Sequence, residues 1–92
     1  MAGKYLHIGF NWVGPPKIKD LEPVIGLYSV DWMRYGVSGW IIYTIYEIPN
    51  LVAGLRPYLG PNDQMIIFEV ARPGEGNGWM PKWIWDWMNK TR

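Results

Sequence analysis

The sequence has no cysteine, only one histidine, and almost no net charge, with nine Lys and Arg set against eight Asp and Glu. Without cysteine the chain has neither a disulfide framework nor a thiolate metal site, which fits a reducing compartment. The lone His7 beside an amide, Asn11, is a weak metal signature. A formal charge of +1 and a pI near 8.0 leave the chain without the strongly basic surface that nonspecific duplex binding requires. No apolar run approaches the roughly 20 residues of a membrane span, and MAGKYLHIGF lacks the apolar stretch of a signal peptide. The expected location is cytoplasmic, with no membrane partner. Internal repeats and low-complexity tracts are also missing.

What the sequence does have is aromatic surface. Seven Trp and six Tyr in 92 residues offer more apolar area than one small domain easily hides. Part of it should be covered by another chain, and the expectation is a homodimer with an apolar interface.

Tyr5 to Trp12, YLHIGFNW, alternates at a period of two. Leu6, Ile8, Phe10 and Trp12 share one side of an extended chain, and Tyr5, His7, Gly9 and Asn11 share the other. VGPPKIKD ends that run, and a helix is predicted from about Leu21 to Tyr28, with Asp20 as N-cap and Pro23 in its first turn. Val30 to Thr44 reads as two strands joined by a reversal at Gly36 to Gly39. WIIYT, Trp40 to Thr44, is β-branched and aromatic throughout, which predicts a central strand covered on both faces. Pro49 opens a second helix along the stripe Ile48, Leu51, Val52, Leu55, Tyr58 and Leu59, and Pro57 should tighten its last turn. In MIIFEVA, Ile66, Phe68 and Val70 are expected on the core side, with Met65, Ile67 and Glu69 opposite.

The order strand, helix, strand, strand, helix, strand is the split βαβ arrangement. It predicts an α+β ferredoxin-like βαββαβ sandwich over residues 1–72, with a four-stranded antiparallel sheet and two helices on one face. The opposite face should be bare. Residues 73–92 form a glycine-containing connector, RPGEGNG, and a Trp-rich C-terminal helix from about Pro81 to Asn89. Trp83 with Trp87 and Ile84 with Met88 should share one surface, with Trp85 behind it. Such a tail should pack on its own sheet or on a partner.

IGFNW, GWIIYT, LRPYLGPNDQMIIFEVA and the closing GWMPKWIWDWMN resemble the family around CRISPR-associated protein 2, and in particular its stand-alone SinR-like relatives. The resemblance implies a ferredoxin-like homodimer whose sheets meet through their bare faces. It also implies either a metal-dependent nuclease or a structural dimer that holds DNA. In the family pattern the first strand ends on an aspartate near the dimer axis. Here that position is Asn11, and an amide is a poor ligand for a hard cation and cannot act as a general base.

The sequence therefore points to a non-catalytic or catalytically degenerate homodimeric interaction module, without cofactor. Binding candidates are His7, Asn11, Arg34 and Tyr43, and interface candidates are Tyr5, His7, Tyr43, Met65 and Ile67. A weak metal-dependent ribonuclease is the enzymatic alternative, with Asn11, Asp31 and Glu69 as its catalytic candidates and a divalent metal required. Small-ligand binding in a dimer cleft is another. Asp63 is expected to serve the turn LGPND and Glu69 to pair with Arg34 or a lysine. An RNA or DNA partner would use Tyr35, Tyr43 or Trp85 with Arg34, Lys4 or Lys82. Another protein could dock on the Trp79–Asn89 tail. Ser38 in VSG reads as a turn residue and GEGNG as a hinge, since it lacks the lysine of a phosphate loop.

Overall fold

The structure, a computed structural model, describes residues 3–92. Strands β1 (Lys4–Asn11), β2 (Asp31–Tyr35), β3 (Gly39–Thr44) and β4 (Gln64–Val70) form one antiparallel sheet in the order β2-β3-β1-β4. Helices α1 (Ile18–Leu27) and α2 (Ile48–Leu55) supply the two crossovers, and α3 (Lys82–Met88) follows β4. This is the ferredoxin-like α+β arrangement, with β1 and β3 central.

The alternation in β1 sets the core. Leu6, Ile8 and Phe10 are buried with Trp40 and Ile42 of β3 against Leu21 and Ile25 of α1 and Leu51 and Leu55 of α2. Trp12 stacks on Phe10 at 4.7 Å and closes one end of this layer. Burying this many large side chains, at about 1.5–3 kcal/mol each, is the main source of stability. As expected, β3 is covered on both faces, with Trp40, Ile41, Ile42 and Thr44 buried.

Helix α1 begins earlier than the sequence suggests. Its N-cap is Lys17, so Asp20 lies in the first turn and Pro23 in the interior. The reason is the apolar spacing Ile18, Leu21 and Ile25, which outweighs the helical hydrogen bond that Pro23 cannot donate to the Lys19 carbonyl. Pro49 opens α2, and Arg56–Tyr58 tightens into a 3-10 turn at Pro57. The β2–β3 reversal places Gly36 at φ 67°, which favours glycine.

Two expectations about the second face are corrected. First, it is not bare. Helix α3 lies on it, with Ile84 buried against Met33 and Ile41, and with Tyr5, Tyr35, Trp87 and Met88 around them. The tail thus packs on its own sheet. Trp83 is 53% exposed, however, and does not share that buried surface. Apart from the Lys82–Asp86 line the helix is apolar, so spacing alone does not say which of the remaining lines turns inward.

Second, β4 faces the other way. Ile8 pairs with Ile67 and Phe10 with Met65, and residues directly opposite each other share a face. Met65 and Ile67 therefore pack against the helix-side core, while Ile66 and Phe68, 61% and 46% exposed, lie on the second face. A one-residue shift of register inverts every side chain of a strand. Among the described residues no helix is long and apolar enough to cross a membrane.

Candidate functional site

On the second face β1, β3 and β4 bring His7, Gly9 and Asn11 beside Gly39 and beside Gln64, Ile66 and Phe68. Gly9 and Gly39 are direct cross-strand partners. With no side chain on either strand the sheet is thin at this point, and a trough of about 560 Å³ opens above the pair. His7 and Tyr35 line one side, Val37 and Ser38 another, and Asn11, Gln64 and Ile66 the rest.

Tyr35 belongs to β2, two strands away from β1, yet its hydroxyl is hydrogen-bonded to Nε2 of His7. It spans the gap because its ring lies over Gly39, where a Cβ would fall 2.4 Å from the ring. His7 in turn stacks on Phe68, with centroids 4.9 Å apart and planes at 22°. Tyr35, His7 and Phe68 thus make an unbroken row across all four strands. Burial pushes the His7 imidazole below its ordinary pKa and the Tyr35 phenol above its own, so both are neutral near pH 7. Nδ1 of His7 is buried without a partner.

Asn11 donates from Nδ2 to Oε1 of Gln64 at 2.8 Å. The hairpin is fastened beside them, since Trp12 Nε1 donates to the Val37 carbonyl at 2.9 Å and Phe10 N–H to the Ser38 carbonyl at 2.9 Å. The trough therefore offers two amides, two hydroxyls and an imidazole, and no charged side chain. No protein-family model, curated protein or solved structure matches the chain. Its chemistry is read from the residues themselves.

Of the sequence-derived binding set, His7 and Asn11 come together in the trough. Tyr43 shares their face at the far end of the sheet, opposite Asp31 and beside Tyr5. Arg34 does not join them. It is on the helix side, where Nε donates to Glu22 at 2.7 Å and Nη1 to the Gly36 carbonyl at 2.7 Å. The expected Glu69–Arg34 pair is therefore absent, and Glu69 is exposed on the helix side of β4.

The enzymatic candidates are scattered. Asp31 and Glu69 lie on the two edge strands and on opposite faces, as their registers with Tyr43 and Leu6 show. Asn11 is at the end of the sheet away from Asp31. Among the described residues no group of three or more His, Asp or Glu is placed to hold a metal ion. Asp63 serves its turn as expected, accepting from Gly60 N–H at 2.8 Å. It also accepts from Val13 N–H at 2.8 Å and from the Lys17 ammonium. The Lys17 hydrogen bond and those two N–H groups hold its carboxyl down at about 2.

Lys4 is paired with Glu47 at 2.8 Å, Lys82 with Asp86 at 2.8 Å and Arg34 with Glu22, so each cation proposed for phosphate already faces a carboxylate. The residue that sequence reasoning missed is Arg92, whose side chain is only 8% exposed. A solitary arginine after a helix carries no motif that could have revealed it.

Proposed function

We propose that the chain is a homodimeric interaction module, a catalytically degenerate relative of the CRISPR-associated protein 2-like group. The observation that carries this reading is strand β4. It is a seven-residue edge strand whose single charge, Glu69, lies on the helix side, and Ile66 and Phe68 are exposed on the part of the face that α3 leaves open, where the strand carries neither charge nor proline. Natural edges are normally blunted by charge, proline or a cover. A second copy fits as the occupant, because an antiparallel edge can pair with itself about a two-fold axis. Such pairing would join two four-stranded sheets and bring the two Ile66–Phe68 strips together. Asn11 supports the non-catalytic half of the reading, since its amide is engaged with Gln64 in a trough without carboxylates.

Light scattering over a concentration series tests the assembly. The wild type should be a dimer, and Ile66→Lys and Phe68→Glu should each be monomers of unchanged fold. A wild-type protomer at high concentration would overturn the proposal. Incubation with RNA and magnesium or manganese should leave the RNA intact, whereas cleavage lost in Asp31→Ala or Glu69→Ala would establish the enzymatic alternative.

The trough favours a second reading, small-ligand binding. Its uncharged lining suits a neutral, flat molecule that rests on the two glycines. A thermal-shift screen of neutral heteroaromatic compounds should give saturable stabilisation that Gly9→Val abolishes, and a flat response would remove this reading.

A further inference from the structure

Arg92 is reached from the end of α3 through residues 89–91, and its guanidinium lies among three aromatic rings. The guanidinium carbon is 4.1 Å from the Trp87 centroid, 5.4 Å from Tyr5 and 5.8 Å from Tyr43. All three are within the range in which a ring face attracts a cation. Nη2 donates to Oδ2 of Asp31 at 2.6 Å. Nη1 donates to the Tyr5 hydroxyl at 3.0 Å, to the Trp87 carbonyl at 2.9 Å and to the Lys90 carbonyl at 3.2 Å. Nε is buried without a partner.

The polar contacts are thus all made by the two terminal nitrogens of the planar head. The carboxylate, the Tyr5 hydroxyl and the carbonyls meet its two terminal nitrogens, the rings meet its centre, and Nε, the substituted nitrogen of the same plane, has no partner. A head without the rest of the residue satisfies the same contacts. The walls also hold one another, with Tyr5 and Tyr43 at 5.1 Å and Tyr5 edge-on to Trp87 at 6.0 Å. Tyr5, Asp31 and Tyr43 belong to three strands of the rigid sheet. A hollow of about 440 Å³, lined by Val30, Asp31, Tyr43, Lys90 and Arg92, opens beside them.

We propose that Tyr5, Tyr43, Trp87 and Asp31 form a guanidinium-binding site, occupied by Arg92 in this structure and able to take a free alkylguanidinium when Arg92 is removed. The fork of in-plane N–H donors matches the acceptors, and a quaternary ammonium, which has no donor, does not. Selectivity for the guanidinium head over a plain cation follows from that match.

Chemical rescue tests the proposal on the full chain. Arg92→Ala should lower the melting temperature. Low-millimolar methylguanidinium should restore at least half of that loss in a saturable way and change the tryptophan fluorescence. Tetramethylammonium and sodium chloride at equal ionic strength should do neither, and Asp31→Asn in the same background should abolish the rescue. Arg92→Gln, which keeps part of the stem packing, is the second background. No rescue in either variant, an equal response to all three salts, or a rescue that survives Asp31→Asn would overturn the proposal.

Discussion

Tyr35 reaches His7 across β3 because Gly39 has no side chain, so a missing methyl group permits a hydrogen bond between residues two strands apart. The glycine is therefore constrained by its neighbour's ring and not by its own backbone angles. Gly39→Val should push the Tyr35 ring aside and separate it from His7, at a cost of about 1–3 kcal/mol for overpacking. Urea unfolding of Gly39→Val and Tyr35→Phe checks this. The second variant removes only the hydroxyl and should cost about 1 kcal/mol.

His7 gives the fold a pH response of known sign. Burial lowers its pKa from the ordinary value of 6.5, so the unfolded chain takes up its proton first as pH falls. Stability from the neutral ring is fully present above that ordinary value and is lost progressively as pH drops through the folded one. Melting temperatures between neutral and mildly acidic pH should fall for the wild type and flatten in His7→Gln. An NMR titration of the His7 ring should place its midpoint below that of a histidine in an unfolded peptide.

Asp63 acts in a more acidic window. Its carboxyl is held at about 2 by Lys17, Val13 N–H and Gly60 N–H, against a usual 3.8. Its contribution is therefore present above 3.8 and disappears as pH approaches 2. Asp63→Asn should melt earlier than wild type at neutral pH and converge with it in strong acid, as read by circular dichroism.

Two neighbours on α3 should behave oppositely. Ile84 is 3% exposed and Trp83 53% exposed. Ile84→Ala should cost about 2 kcal/mol, the low end for a buried large-to-small change, because its cluster is small. Trp83→Ala should change stability by no more than about 0.5 kcal/mol. Urea unfolding distinguishes them, and a larger loss at Trp83 would mean that the helix docks on a different line.

These contrasts show what was readable in advance. Element order, the core positions of β1 and the burial of β3 followed from period-two alternation and proline placement, which act locally. The facing of β4 did not. MIIF is apolar on both sides, so alternation there has no sign until the register against Ile8 and Phe10 supplies one. His7 and Asn11 were legible as a shared face of one strand. The trough was not, because it arises from two glycines 30 residues apart in sequence that meet only on pairing. Arg92 was invisible for a related reason, since its partners sit on three strands and a helix.

The docking of α3 also bears on how the chain is made. Residues 4–70 contain the four strands of the sheet and both helices of the first layer, and Met33 and Ile41 belong to that portion. Their cover, Ile84, leaves the ribosome after all of them. For that interval the nascent chain carries a finished core and an adhesive patch together. Its exposure to aggregation is greatest in the interval before α3 emerges and docks.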